Sequence, residues 1–333
     1  MNMEVITLAE GAGGSASASL MKDIVFPYLG NDILAEMHDG ARLKVSGDIA
    51  FTTDSYIVSP RKFSGGSIGT LAVSGTVNDL AMTGAKAKYL SASVIMEEGF
   101  EKGELKEILA DMQKAAKKAE VLFVTGDTKV APKGKVDGIF INTAGIGEII
   151  EGANISPKNV KAGMKIIVSG YVGDHGATIL ASRHDLKADL KSDAAPLNHL
   201  VEKMLKASKN IAMLRDPTRG GVAAVLNEVA KAADVGVIIE EELIPVRESV
   251  RGLSDMLGFD PLTLANEGKL IAFVDAADAK KTLDVMKEDE NGKDAAIIGE
   301  TVDTAKGKVG LKTEIGAIRL VEMPQGEIVP RIC

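Results

Sequence analysis

Tryptophan is absent from this sequence, and aromatic residues make up only 4% of it. Any core must therefore be built from Val, Ile, Leu, Met and Ala. Cysteine occurs once, as the final residue Cys333. A sole thiol excludes an internal disulfide. Few His and Cys, with no cluster at ligand spacing, argue against zinc as well. No run of about 18 apolar residues occurs, so no membrane-spanning helix is expected. Basic residues are in deficit: 39 Lys and Arg stand against 47 Asp and Glu, a formal charge of −8. That balance, with no basic stripe, argues against nucleic acid as the main partner. Met1-Asn2-Met3-Glu4 lacks a basic region followed by an apolar stretch, so no secretory signal is expected. The lone cysteine then points to the reducing cytoplasm. Because that cysteine comes last, it is not a C-a-a-X prenylation signal.

What the chain does have is length for two ordinary domains, at 333 residues, with an unremarkable 45% hydrophobic and 26% charged content. Its 35 glycines gather in short motifs. The final stretch, Gly326-Glu327-Ile328-Val329-Pro330-Arg331-Ile332-Cys333, puts the thiol on a terminal arm. Such arms are poorly ordered unless tied down. A thiol on a mobile arm can enter and leave a site, carry a covalent group, or act as a nucleophile. The alternative is a chance terminal cysteine with no role.

Taken in order, Gly11-Ala12-Gly13-Gly14-Ser15 reads as a flexible loop whose amides can line up on an anion, or as a plain turn. Arg42 to Val58 is strand-like, alternating β-branched and aromatic residues with polar ones. Asp48 and Asp54 bracket it, and an unbroken alternation puts both on one face. They are either turn aspartates or a pair that needs water or a cation. Residues 64–84 read as a helix capped by Ser64 or Ser67, with Asn78-Asp79 set in a small, apolar run. A strand is expected over 87–96. A structural amphipathic helix is expected from Glu101 to Glu120, with Leu105, Ile108, Leu109 and Met112 at helical spacing. The strand from Val121 then runs into Gly126-Asp127-Thr128-Lys129 at a sharp strand end. A carboxylate, a hydroxyl and an ammonium meet there, suited to phosphate or metal, although Walker spacing is absent and a solvated turn fits too. Another strand covers 136–150, and the Gly-, Asn-, Pro- and Lys-rich stretch 151–164 marks the domain boundary.

The second half opens with a strand over 165–169 and a helix started by Gly173-Asp174-His175-Gly176. His175 is a catalytic candidate; a cap or hydrogen-bonded structural residue is the more ordinary reading. A helix spans 195–208. Arg215-Asp216-Pro217-Thr218-Arg219-Gly220-Gly221 opens another, running through Ala232, whose start can receive an anion. Strands are expected at 235–240, 269–274, 295–301 and 308–313, with helices at 246–257 and 276–288. Leu264-Ala265-Asn266-Glu267-Gly268 sets a carboxylate beside a flexible glycine. The alternation implies two α/β or α+β domains, 1–155 and 156–320, and a mobile tail over 321–333. Asp48, Asp54, Asp79, Asp127 and Asp216 are candidates for Mg²⁺, which takes oxygen ligands and bridges carboxylates to substrate phosphates. Spacing alone stops at a nucleotide or phosphate site.

Together the glycine-rich loop at 11–14, the Asp48 and Asp54 pair, Val77-Asn78-Asp79-Leu80-Ala81, Gly126-Asp127-Thr128-Lys129-Val130, Gly173-Asp174-His175-Gly176, the Arg215–Gly221 turn, Ala265-Asn266-Glu267-Gly268 and terminal Pro330-Arg331-Ile332-Cys333 form one ordered set. In this order the chain resembles, nearly end to end, the HypE family of hydrogenase maturation proteins. Its internal motifs are shared loosely with aminoimidazole ribonucleotide synthetase, selenophosphate synthetase and thiamine-monophosphate kinase; the terminal Pro-Arg-Ile-Cys is the specific part. The resemblance implies a two-domain aminoimidazole ribonucleotide synthetase-like fold whose N-terminal sheet pairs with that of a dimer mate. It implies ATP in the cleft between domains, with Mg²⁺ on Asp54, Asp79 and Asp216. Gly13, Gly14, Asp48, Asn78, Asp127 and Thr128 are implied as nucleotide contacts. It further implies that a HypF-like carbamoyltransferase loads a carbamoyl group onto Cys333. That group is dehydrated to a thiocyanate and passed to iron on a HypC–HypD-like scaffold. Glu267 is then the expected base, His175 the second candidate, and Lys129 the cation at the transferring phosphoryl group. Two alternatives stand beside this: another ATP-dependent small-molecule kinase or synthetase of the superfamily, and a non-catalytic carrier using the cysteine tail. Selenophosphate synthetase fits poorly, since no reactive Cys lies near the N-terminus.

Overall fold

The structure, a computed structural model, describes residues 4–12, 14–36 and 40–325. Gly13 and the terminal stretch with Cys333 lie outside the described residues, and so do the expectations placed on them. Among the described residues no helix is long and apolar enough to cross a membrane.

The N-terminal half is a sheet covered on one face by two helices. Its elements are β1 (Ile49–Tyr56), α1 (Ile68–Met82), β2 (Ala85–Glu97), α2 (Lys102–Ala119), β3 (Leu122–Ala131) and β4 (Ile139–Ile149). The four strands pair in the order β1-β4-β2-β3, which leaves β1 and β3 as opposite edges. α1 begins where Ser67 caps it, its Oγ accepting from the Gly69 N–H at 3.2 Å. The apolar positions of α2, Leu105, Ile108, Leu109 and Met112, are all buried against α1 and the sheet. The two helices approach closely at Gly69, where a Cβ would overlap the Ile108 carbonyl oxygen.

Two expectations change here. Only 49–56 of the expected 42–58 segment forms a strand. Gly47, at φ +69°, turns the chain just before it, and the ladder starts with Ile49 opposite Glu148. At Gly126 the strand does not end. β3 runs on to Ala131, pairing in parallel with β2. Gly126 is needed because a Cβ there would strike the Ala92 carbonyl oxygen of β2, and it lies just past Val124, the extra residue by which β3 shifts register against β2.

The C-terminal half holds a second sheet, built from β5 (Lys165–Val168), β6 (Ile211–Arg215), β7 (Gly236–Glu240), β8 (Ile271–Val274), β9 (Ala296–Val302), β10 (Val309–Lys312) and β11 (Ile318–Leu320). Its seven strands are ordered β11-β10-β7-β9-β5-β8-β6. The helices are α3 (Asp174–Arg183), α4 (Asn198–Ala207), α5 (Gly221–Ala232), α6 (Glu248–Leu257) and α7 (Ala276–Lys287). β6 and β11 escaped the sequence reading. β6 is short and buried along most of its length, with no polar alternation, and β11 is an exposed edge. Val321 is not free tail: it is buried in the domain core, and its N–H bonds the Val309 carbonyl at 2.8 Å. The two halves share apolar packing, since Ile179 and Ala265 join the N-terminal core.

Candidate active site

Between the halves lies a cleft of about 530 Å³ that collects acidic side chains from elements far apart in the chain. β1 supplies Thr52 and Asp54, α1 supplies Asp79, the turn after β6 supplies Asp216 and Arg219, and the loop before β8 supplies Glu267. Asp54 reaches the cleft because even-numbered β1 residues point inward, with Ala50 and Tyr56 buried on the same face. Thr52 Oγ1 donates to Asp79 Oδ2 at 2.8 Å. The Glu267 loop is tied to the Asp216 turn through Asn266, whose N–H and Nδ2 both bond the Pro217 carbonyl at 3.0 Å.

Burial drives the electrostatics. It raises the Asp79 carboxyl above its usual range, against the Thr52 hydrogen bond. It lifts Asp216 to about 7, helped by the negative charge of Asp79. Glu267 is pushed well above the ordinary carboxyl range by burial and then by the charges of Asp193 and Asp216. Its side chain is 4% exposed, and Oε1 has no hydrogen-bond partner. A cleft in which burial raises the proton affinity of Asp79, Asp216 and Glu267, and in which one carboxyl oxygen is orphaned, suits a divalent cation. The expected metal set of Asp54, Asp79 and Asp216 does face this one cleft. Among the described residues, however, no three His, Cys, Asp or Glu side chains gather closely enough to hold a metal by themselves. That suits Mg²⁺, which commonly takes one or two carboxylates and completes its shell with water and phosphate.

Other expected residues fall elsewhere. Asp48 is exposed and precedes β1; the Gly47 turn takes it out of the alternation, and only its carbonyl is engaged, by the Ile149 N–H at 2.9 Å. Asn78 is buried and does not line the cleft. Its Nδ2 donates to the Ala195 carbonyl at 3.1 Å and the Glu267 carbonyl at 3.4 Å, while Oδ1 accepts from the Leu197 N–H at 2.8 Å. Its amide is committed to joining the two halves. His175 is fully buried, edge-on to Phe63, with Nδ1 at 2.8 Å from Ser192 Oγ. Burial lowers its pKa to about 4, so it stays neutral at physiological pH, and it is not among the side chains lining the cleft. Within this chain, then, His175 is packed away from the site proposed for the second base.

Asp127, Thr128 and Lys129 lie on β3, the edge opposite β1. Three strand spacings separate those edges, roughly 14 Å. Lys129 Nζ pairs with Asp127 Oδ1 at 2.8 Å, and that bond holds the Asp127 carboxyl below its usual range. They border a different, largely apolar cavity of about 320 Å³, together with Met21, Leu29 and Leu109. Gly14 starts the short helical turn Gly14–Leu20 at φ +72°, with open space where a Cβ would sit. Sequence reasoning missed Asp193, which binds the Glu267 loop. Nothing in the spacing joins two groups 74 positions apart.

Known proteins share this two-domain fold. The model of the AIR synthase related protein N-terminal domain matches residues 37–149, and that of the C-terminal domain matches residues 161–312. A carbamoyl dehydratase HypE from Rhodobacter capsulatus is 45% identical over 335 residues, covering 99% of this chain and 98% of that protein. A crystal structure of hydrogenase maturation protein HypE in complex with ATP superposes with a TM-score of 0.95 at 46% identity, covering 98% of this chain and 99% of that one. A HypE–HypF complex structure matches with a TM-score of 0.81 at 48% identity, covering 92% of this chain and 100% of that one. With an acidic interdomain cleft, two AIR synthase related domains and near-complete coverage by these relatives, the chain belongs to the HypE family of hydrogenase maturation carbamoyl dehydratases.

Proposed function

We propose that this chain uses ATP to dehydrate a carbamoyl group carried as an S-carboxamide on Cys333, leaving a thiocyanate that supplies cyanide to the iron of [NiFe]-hydrogenase. The observation that carries this reading is the buried Glu267 carboxyl, with an unpartnered oxygen, in a cleft shared with Asp54, Asp79 and Asp216. A HypF-like carbamoyltransferase loads the thiol, and a HypC–HypD-like iron scaffold receives the product, all in the cytoplasm.

An amide oxygen leaves carbon badly, and phosphorylation turns it into a good leaving group. The carbamoyl oxygen attacks the γ-phosphorus of ATP, and the bond to ADP breaks. An amide proton is lost as the carbon–nitrogen bond gains order. Loss of the second proton and departure of phosphate complete the nitrile, so the oxygen of the removed water ends on phosphate. Glu267 takes an amide proton; a buried carboxylate with a raised pKa is a stronger base than an exposed one. Asp54, Asp79 and Asp216 are the residues that would hold Mg²⁺, which would neutralise charge on the phosphates. Asp127, Thr128 and Lys129 join this chemistry across a homodimer in which the two N-terminal sheets meet. Enclosure between the domains keeps water from the phosphorylated intermediate.

Intact-protein mass spectrometry tests the reading. Incubated with the carbamoyltransferase, carbamoyl phosphate and ATP, the chain is expected to gain a carbamoyl adduct on Cys333 that loses one water only with MgATP. Cys333→Ala abolishes both changes. An unmodified Cys333 would overturn the mechanism and turn the search to a soluble phosphate acceptor.

A further inference from the structure

Asp193 is a buried acid outside the lining of the active-site cleft, and its carboxylate is fully occupied by the turn that carries Glu267. Oδ1 accepts from the Glu267 N–H at 3.1 Å, and Oδ2 accepts from the Gly268 N–H at 3.2 Å. Lys269 Nζ lies 3.4 Å from Oδ2, with the Asp193 side chain 3% exposed and that of Lys269 13% exposed. Charge-assisted bonds of this kind, sheltered from water, are stiff and directional. From the other side, the Glu267 carbonyl accepts from the Ala195 N–H at 3.3 Å and from Asn78 Nδ2 at 3.4 Å. Gly268 is pressed against the same strap; a Cβ there would overlap the Asp193 carbonyl oxygen. The backbone on both sides of Glu267 is thus held, while its Oε1 is left without a partner. Asp193 itself borders a separate polar cleft with Lys191 and Arg247, so it acts on the reaction only through Glu267.

We propose that Asp193 is the positioning residue for Glu267: its carboxylate clamps the 267–268 turn and so aims the Glu267 carboxyl into the cleft. This rests on the assignment of Glu267 as the base. Small displacements of a reacting group are costly; about 1 Å can lower a rate by about a hundredfold.

A double-mutant cycle on the full chain, carbamoylated at Cys333 and followed by intact mass at saturating MgATP, separates the two ideas. Asp193→Asn keeps the size but cannot accept from both N–H groups. It is expected to slow water loss by about tenfold to a hundredfold while the KM for MgATP stays unchanged. Glu267→Gln is expected to slow it further, and Asp193→Asn to add nothing in that background, because the first residue works through the second. An unchanged rate for Asp193→Asn, or a loss that adds to that of Glu267→Gln, overturns the positioning role and leaves the base assignment standing. A wild-type rate for Glu267→Gln overturns the base assignment, and the positioning role with it. Asp193→Glu keeps the charge but displaces both acceptors; it carries the same expectations through the same cycle and decides the question if the Asn variant does not fold.

Discussion

Asp216 titrates where the protein works, and that has a direction. Burial and the neighbouring Asp79 charge lift its carboxyl to about 7. A cation binds the carboxylate and not the acid, so protonation competes with Mg²⁺. The KM for MgATP is therefore expected to rise as pH falls from about 8 to about 6, by up to about tenfold per unit on the acid side. A flat KM across that range would detach Asp216 from the metal. His175 gives a stability effect of defined sign. Its folded pKa is depressed from 6.5 to about 4 by burial, so in that interval the unfolded chain binds a proton that the folded chain does not. The stabilisation is complete above the unfolded value and is lost as pH falls toward the folded one. From about pH 7 to about pH 5 this costs about 2 kcal/mol. Denaturant melts should show that slope in wild type and a shallower one in His175→Gln.

The helices were readable because each carries its signal locally. In α2 the apolar spacing alone predicts which side is buried, and Leu105, Ile108, Leu109 and Met112 are all in the core. The Ser67 cap of α1 was visible in the same way. The strand edges were not. Gly126 looks like a terminator in one dimension, but it is the residue that lets β3 run close against the Ala92 carbonyl of β2. Gly69 is a similar case within a helix. Replacing a helical glycine by alanine ordinarily gains about 1 kcal/mol. Here the added Cβ would meet the Ile108 carbonyl oxygen, which belongs to backbone and cannot swing away. Gly69→Ala is expected to destabilise by about 1–3 kcal/mol, seen as a lower thermal midpoint; an unchanged or raised midpoint would mean that α1 and α2 can separate without cost.

Beside the apolar packing the two halves share, a few polar groups cross the seam. Asn78, on α1, binds the Leu197 N–H and the Ala195 and Glu267 carbonyls of the other half. Asn78→Ala leaves the Leu197 N–H buried and unpaired, at a cost of about 2 kcal/mol. It also loosens the strap that Asp193 and Glu267 share. The expected outcome is a lower urea midpoint together with slower dehydration of the carbamoyl group. Loss of stability with full activity would confine Asn78 to the seam.

Composition and motif order were enough to establish the family, the absence of an internal disulfide and most of the helices, since each is written in neighbouring residues, and they put forward Cys333 as the proposed carrier thiol. They were also enough to single out Asp54, Asp79, Asp216 and Glu267. What they could not establish is which of the singled-out groups meet. Strand order places β1 and β3 at opposite edges, so Asp54 and Lys129 part company within one chain. Asn78 and Asp79 are adjacent, yet the turn of α1 sends one into the seam and the other into the cleft. Asp193 reaches Glu267 across 74 positions. Side-chain meetings of this kind depend on long-range packing, and no local period records them.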